Sequence, residues 1–178
     1  MASRLSGRGV GLTPIKVPRV VLQYARSRQP VLEPAEGTVT NRKLAYIVRD
    51  QTPLVLAVTD TVQEACRCMW ERRTGSVLVV DDRKCLVGIF TGRDAVPTLA
   101  EGKNAKATTL ARAMTPNPIT ITPDSRAIDA LREMSNRGFR HLPVVEGGRI
   151  WGVVSRNDFM GMEIDRLDEE DHLWECIR

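Results

Sequence analysis

Two short stretches of the chain place a hydroxyl side chain three residues before an aspartate. They read G-I-F-T-G-R-D at residues 88–94 and G-V-V-S-R-N-D at residues 152–158. The pairs are Thr91 with Asp94 and Ser155 with Asp158. A short carboxylate held at the start of a helix is suited to accept two vicinal ribose hydroxyls, and the free amide groups there favour a phosphate. This spacing therefore offers the chemistry of nucleotide binding.

The same spacing also has a purely structural explanation. A Ser or Thr N-cap followed three residues later by an acid is close to a capping box, which satisfies backbone amides without any ligand. Two features favour a ligand nonetheless. The motif occurs twice, and its acid is Asp both times, although Glu is the usual reciprocal capping residue.

The two motifs end the two copies of an internal repeat. Residues 53–96 align with residues 118–160, so that Met69 matches Met134 at an offset of 65 and Asp94 matches Asp158 at an offset of 64. The single slip falls in a polar turn, which is D-D-R-K in the first copy and E-G-G-R in the second. Loops tolerate such a change in length, so the pattern indicates a duplicated structural unit.

Each copy predicts the same element order, βαββα. The predicted strands span residues 55–58, 77–80 and 86–90 in the first copy and residues 119–121, 142–145 and 150–154 in the second. Apolar residues recur with helical spacing at Val62, Ala65, Cys66 and Met69, and again at Ala127, Ala130, Leu131 and Met134. A last helix is expected to begin at Thr91 and at Ser155. The fold class is therefore α/β (α+β), with two copies related by an approximate two-fold axis and packed together.

Composition excludes several classes of protein. The chain has 178 residues, of which 42% are hydrophobic and 27% charged, and no apolar run approaches the roughly 18 residues of a membrane span. Residues 1–32 carry six Lys or Arg and no acid, while the whole chain has a net charge of only +4. The basic character is thus confined to the N-terminal segment, so a nucleic-acid-binding surface over the whole protein is not expected.

The four cysteines form no CxxC pair, and the two histidines lie far from them in sequence. Zinc binding is therefore not expected. Reduced thiols predict a cytoplasmic protein, although the acid-free N-terminal segment leaves organelle targeting open.

The repeats resemble cystathionine-β-synthase-type (CBS) domains, and their tandem resembles the paired arrangement called a Bateman module. The markers are A-R-A-M-T at residues 111–115, D-A at 129–130 with Met134, G-F-R-H-L-P-V at 138–144, and the two hydroxyl-x-x-Asp ends. The resemblance covers about residues 43–165. It predicts an extension over 1–42, repeats over 43–102 and 110–165, a linker over 103–109 and an acidic tail over 166–178.

The resemblance implies that an adenosine-type nucleotide binds as a regulatory ligand, with no cofactor required. AMP, ADP, ATP, NAD and S-adenosylmethionine all remain open. Thr91 and Ser155 would touch phosphate, and Asp94 and Asp158 would hold ribose. The backbone near Thr120 and Thr122, together with Arg140, His141 and Pro143, would line the second base pocket. The family precedent also implies a disc-like homodimer built on exposed helix faces.

The first copy departs from this pattern. It has T-G-S-V-L at residues 74–78 where the second copy has F-R-H-L-P, so the basic pair and the proline are absent. We therefore expect the first site to be empty, degenerate or selective for another ligand. This reasoning ranks the Asp158 site above the Asp94 site.

No nucleophile with a paired base is evident, and His141 is an isolated histidine. The sequence therefore predicts a regulatory module without catalytic activity that acts on an unidentified partner protein in trans. Two alternatives stay open. One is an interaction scaffold whose pockets have decayed, and the other is a nucleic-acid-associated regulator that uses the basic N-terminal arm.

Overall fold

The computed structural model describes residues 42–159 and residue 163. The predictions made for the basic N-terminal extension and for the acidic tail lie outside these residues. Within them, no helix is long and apolar enough to cross a membrane.

Helices and strands follow the repeated order that the sequence predicts. The helices are α1 (Leu44–Val48), α2 (Val62–Arg72), α3 (Gly92–Ala100), α4 (Leu110–Ala113) and α5 (Ala127–Arg137). The strands are β1 (Val55–Ala57), β2 (Ser76–Val80), β3 (Leu86–Thr91), β4 (Thr115–Pro116), β5 (His141–Glu146) and β6 (Arg149–Ser155). One sheet has the order β1-β2-β3-β4, and β5 and β6 form a second, two-stranded sheet.

The two hairpins confirm the alignment of the repeats. Ser76 lies opposite Thr91 between β2 and β3, and His141 lies opposite Ser155 between β5 and β6. Both ladders carry a register shift at matching positions, between Val79 and Val80 in β2 and between Val144 and Val145 in β5. The two hydroxyl-x-x-Asp motifs therefore leave their sheets at equivalent positions.

One predicted strand of the second copy is reduced to a single bridge. In the first copy β1 pairs with β2 over three residues, and the N–H of Leu78 donates to the carbonyl of Leu54 (2.8 Å). The matching residue of the second copy is Pro143, which has no N–H to donate. Only Ile121 still pairs with Val144, so the residues before Ile121 do not join the sheet.

The last helix of the second copy also differs from the prediction. The first copy continues into α3, whereas the second forms one 3₁₀ turn over Arg156–Asp158. Phe159 then adopts an extended backbone and is buried in the core of its repeat. On α2, the buried thiol is Cys68, while Cys66 is only half-buried, so the predicted apolar face is turned slightly around the helix.

Each repeat is completed by the segment that precedes the other repeat. Leu44 at the start of α1 donates its N–H to the carbonyl of Ser125 (2.9 Å), and α1 packs on β6. Conversely, Leu110 at the start of α4 donates its N–H to the carbonyl of Asp60 (2.7 Å). Leu44 and Leu110 are fully buried in the cores of these opposite repeats. This exchange confirms that the copies pack together.

A third apolar cluster joins the two sheets. It contains Val55, Leu78, Val80 and Ile89 of the first repeat and Ile150 of the second. Because burial of such side chains contributes about 1.5–3 kcal/mol each, separating the repeats would expose apolar surface that the fold depends on.

Two glycines allow the exchanged segments to approach the sheets. A Cβ placed on Gly152 would lie 2.7 Å from the Cβ of Val48 and 2.7 Å from Oε1 of Gln51. A Cβ on Gly88 would collide with Met114, the residue that matches Val48. The same constraint therefore operates in both repeats.

We expect Gly152→Ala to destabilise the protein by about 1–3 kcal/mol, because the extra methyl overpacks the contact with α1. The measurement is the free energy of unfolding in urea. The matched control is Gly92→Ala, since a Cβ at Gly92 meets nothing within 4 Å. Equal stability of the two variants would contradict the proposed close approach.

Candidate functional site

The turn after β3 holds Asp94 through its neighbours. The backbone N–H and the hydroxyl of Thr91 both donate to Oδ2 of Asp94, each at 2.7 Å. Thr115, which belongs to the segment preceding the second repeat, donates its hydroxyl to Oδ1 (3.1 Å). The carboxylate is thus fixed at the N-terminus of α3 and accepts hydrogen bonds from residues of both repeats.

The turn after β6 repeats this geometry. The backbone N–H and the hydroxyl of Ser155 donate to Oδ2 of Asp158 at 2.6 and 2.8 Å. The carbonyl of Asp158 accepts from Nη2 of Arg42 (3.3 Å), and Arg42 forms an ion pair with the fully buried Glu163 (2.8 Å). Hydrogen bonding to this carboxylate raises the pKa of Arg42. Arg42, held by Glu163, therefore stabilises the turn through the carbonyl of Asp158.

Each turn has the geometry of a helix cap, as the structural explanation of the motif requires. Each turn also faces a cavity, which the capping explanation does not require. The cap orders the carboxylate, and the cavity leaves space in front of it. The two explanations are therefore compatible at both positions.

The Asp94 cavity has a volume of about 490 Å³. Its walls combine the turn after β3 with apolar and polar residues of the second repeat. They include Ile89, Arg93, Asn117, Pro118, Ile119, Phe139, Arg140 and His141. An apolar wall with a few polar groups is typical of a small-molecule site, and Phe139 and Ile119 offer surfaces on which a base can pack.

The Asp158 cavity is larger and more basic, with a volume of about 730 Å³. It combines the turn after β6 with two segments of the first repeat, residues 51–54 and 72–76. Four arginines line it, namely Arg72, Arg73, Arg140 and Arg156. Each cavity is therefore built from the aspartate turn of one repeat and the strand entries of the other.

Arg140, His141 and Gly75 line both cavities. At the repeat offset, Gly75 matches Arg140 and Ser76 matches His141. A Cβ on Gly75 would lie 2.8 Å from Nε2 of His141, so the glycine provides the room that the histidine occupies. The basic pair Arg140 and His141 of the second repeat thus lines both sites. The absence of such a pair from the first repeat therefore gives no reason to rank the Asp158 site above the Asp94 site.

Three residues expected at the second base pocket line neither cavity. Thr120 is exposed, and the hydroxyl of Thr122 forms a hydrogen bond with Ser125 (2.9 Å). Pro143 is buried in β5 opposite Val153.

The cavities also contain residues that were not predicted from the sequence, namely the arginines at the end of α2 and residues 51–54 and 117–119. A signal was available in the alignment, because Pro53 and Pro118 match and both precede a predicted strand. Arg72 matches Arg137 of the second repeat, whereas Arg73 matches Gly138 and has no basic counterpart. Only the fold places them beside Asp158.

Among the described residues, no group of three or more His, Cys, Asp or Glu is arranged to hold a metal ion. The titratable groups that face the cavities are Asp94, Asp158, His141 and the arginines. This arrangement suits binding of an anionic molecule that carries hydroxyls.

A family model of the CBS domain matches residues 41–101 and 110–164. The chain belongs to the CBS domain family. As a CBS domain pair it is 37% identical over 142 residues to the CBS domain-containing protein CBSCBSPB2 of Arabidopsis thaliana, covering 79% of this chain and 26% of the relative. It is 42% identical over 111 residues to the meiotically up-regulated gene 70 protein of Schizosaccharomyces pombe, covering 61% of this chain and 15% of the relative. The chain thus spans about a quarter or less of the length of these curated relatives.

Solved CBS domain pairs share the fold. The CBS domain pair of protein MJ0100, solved with 5′-methylthioadenosine and S-adenosyl-L-methionine, superposes with a TM-score of 0.61 at 26% identity, over 74% of this chain and 98% of that one. A CBS domain protein of Pyrobaculum aerophilum complexed with AMP gives a TM-score of 0.65 at 21% identity, over 72% and 99%.

Burial lowers the pKa of His141, and the neighbouring Arg140 lowers it further, while Asp158 opposes the shift. Below the ordinary pKa of about 6.5, the unfolded chain takes up the proton before the folded protein does. The free energy of unfolding therefore rises with pH through this range.

We expect the free energy of unfolding of the unliganded protein to fall as the pH drops from about 7 toward the lowered pKa of His141. Urea titrations at several pH values measure the effect. His141→Gln should remove the part of the pH dependence due to this residue. An unchanged profile in that variant would show that His141 does not titrate as described.

Proposed function

We propose that this CBS domain pair is a regulatory module that binds adenosine-containing nucleotides in the Asp94 and Asp158 cavities. The observation that carries the proposal is that each cavity joins an anchored aspartate to the shared basic pair Arg140 and His141. A carboxylate for ribose and a guanidinium group for phosphate are thereby present in each cavity.

The groups in the Asp94 cavity fit the parts of a nucleotide. Ribose hydroxyls would donate to Oδ1 of Asp94, the oxygen that Thr115 now contacts. The base would pack between Ile119 and Phe139, and phosphate would approach Arg140 and the amide groups at the start of α3. A CBS domain pair of similar fold, that of protein MJ0100, was solved with two adenosine derivatives, which supports this class of ligand.

A ligand in either cavity would touch both repeats, because the walls come from both. It would therefore favour the arrangement of repeats to which it binds more tightly. We assign this response to the control of a partner protein in trans. No catalytic activity is proposed, since the aspartates are fixed by caps and the hydroxyl of Ser155, which lies opposite His141, is donated to Asp158.

We also propose that the protein forms a homodimer through α2 and α3, which contact each other. Trp70 on α2 is 84% exposed, and Leu99 and Val96 on α3 are 71% and 58% exposed. Large apolar side chains grouped on one surface commonly mark an association site. A cytoplasmic location remains a prediction, and one relative, 30% identical, is named as a mitochondrial CBS domain-containing protein of Arabidopsis thaliana.

We expect Asp94→Ala and Asp158→Ala each to weaken one adenosine-nucleotide binding event by about tenfold to a hundredfold. A charge-assisted hydrogen bond of about 1.5–3 kcal/mol accounts for this range. Isothermal titration calorimetry with AMP, ATP, NAD and S-adenosylmethionine measures the affinities. Thermal unfolding with and without ligand provides a second readout, since a ligand at a hundred times its dissociation constant stabilises by about 2.7 kcal/mol.

The matched control is Asp129→Ala. Asp129 has the same capping position on α5, where it accepts from the N–H of Arg126 (3.4 Å), but it lines neither cavity. Its loss should cost about 0.5–2 kcal/mol of stability and leave the affinities unchanged. If no adenosine compound binds the unmodified protein at millimolar concentration, the proposed function is wrong and an interaction scaffold replaces it.

For the dimer, we expect a sedimenting mass of twice the 19.8 kDa chain at micromolar concentration. Trp70→Glu combined with Leu99→Glu should give the monomer, because two carboxylates would lose hydration in the interface. Gln63→Glu, which adds a charge at an exposed position of the same α2 helix, is the control and should remain dimeric. A monomeric unmodified protein would refute the proposal.

A further inference from the structure

We propose that the Asp158 cavity selects a nucleoside di- or triphosphate, whereas the Asp94 cavity accepts an adenosine ligand with less negative charge. This inference rests on the proposed function, because it assumes that adenosine compounds bind. It assigns a different ligand class to each of the two sites.

The arginines of the protein differ in whether an acidic side chain lies beside them. Arg42, Arg67, Arg132 and Arg137 each have an acidic partner within 4 Å. Among the described residues, none of the four arginines of the Asp158 cavity has an ion pair with an acid, and Asp158 is the only acid in its walls. One of them, Arg72, lies in the last turn of α2 and is favoured there by the helix dipole. The same effect acts on Arg73, the C-cap residue of α2, but it does not explain Arg140 and Arg156.

The Asp158 cavity also contains a buried hydroxyl without a hydrogen-bond partner among the described residues. Ser76 lines the Asp158 cavity and is only 2% exposed, yet its Oγ has no hydrogen-bond partner among the described residues. A buried polar group without a partner costs about 1–3 kcal/mol. A phosphate oxygen accepts hydrogen bonds, so a phosphate at this wall would satisfy Ser76.

The Asp94 cavity differs from the Asp158 cavity in its wall residues and its volume. At the positions that match Thr74, Gly75 and Ser76, that cavity has Phe139, Arg140 and His141. Its guanidinium groups are those of Arg93 and Arg140 only, and its walls are more apolar. Its volume of about 490 Å³ is also smaller than the 730 Å³ of the Asp158 cavity. The additional space and charge suit the additional phosphates.

The positions of the arginines also indicate the direction in which the phosphates of a bound nucleotide would extend from its ribose. Arg156 follows Ser155 directly, so it lies beside the proposed ribose contact. Arg72 and Arg73 belong to the first repeat, at the far end of α2. A nucleotide whose ribose is held by Asp158 and that carries two or three phosphates would bring several anionic groups to guanidinium groups from both repeats.

The test compares adenosine, AMP, ADP, ATP and inorganic tripolyphosphate as ligands of the full chain. Calorimetry at constant ionic strength, with EDTA present, is applied to the unmodified protein and to the double variant Arg72→Gln/Arg73→Gln. The control is Arg67→Gln, which removes one charge from the same α2 helix but lines neither cavity. Both arginines of the double variant are exposed, and its melting temperature verifies that it folds.

We expect one binding event in which ADP and ATP bind at least tenfold more tightly than AMP or adenosine. The preference should disappear in the double variant, fall in Arg156→Gln and persist in Arg67→Gln. The other event, at the Asp94 cavity, should keep its affinity for AMP in the double variant. Tripolyphosphate should bind at least tenfold more weakly than ATP, because it lacks the ribose that Asp158 holds.

Three results would overturn the inference. The first is equal affinity for AMP and ATP at both sites, which leaves the proposed function intact. The second is a phosphate preference that survives in the double variant. The third is tripolyphosphate binding as tight as that of ATP, which would indicate a polyphosphate site without nucleoside recognition. Failure of every adenosine compound to bind would instead refute the proposed function itself.

Discussion

The fold depends on the close approach of each preceding segment to the opposite repeat. Gly88 and Gly152 allow this approach, because a side chain at either position would meet Met114 or Val48. The contact completes the core of each repeat with an apolar residue from the other. It also brings residues 51–54 and 117–119 to the cavities. Stability and the candidate sites therefore have the same structural origin.

The duplicated unit could be predicted from the sequence because its pattern is local. Strands, helices and turns follow from periodicity within each copy. The repeat offset, which is 65 residues and becomes 64 after the polar turn, makes Asp94 and Asp158 equivalent. One exception also has a local cause. Pro143 cannot make the hydrogen bond that Leu78 makes, so a predicted strand is reduced to a bridge.

The composition of each cavity could not be predicted in the same way. It depends on which segment of one repeat faces which segment of the other, and a single sequence contains no record of such contacts. The absence of a basic pair at Gly75 and Ser76 suggested a degenerate first site. In the fold, Gly75 is small because His141 lies against it, so the apparent loss belongs to a shared arrangement. Two copies of the bulky pair would compete for that space.

The ion pair of Arg42 with Glu163 has a consequence for the connectivity of the chain. It brings the start of the first repeat to the end of the second, so residues 42 and 163 are spatial neighbours. The start and the end of the repeat pair therefore meet in space, so the chain can be joined at this point and opened at another. Gly102 and Lys103 lie in an exposed turn between the repeats. A circular permutant that begins at Lys103, with residues 163 and 42 joined by a short linker, would preserve the exchanged helices, the hairpins and both cavities.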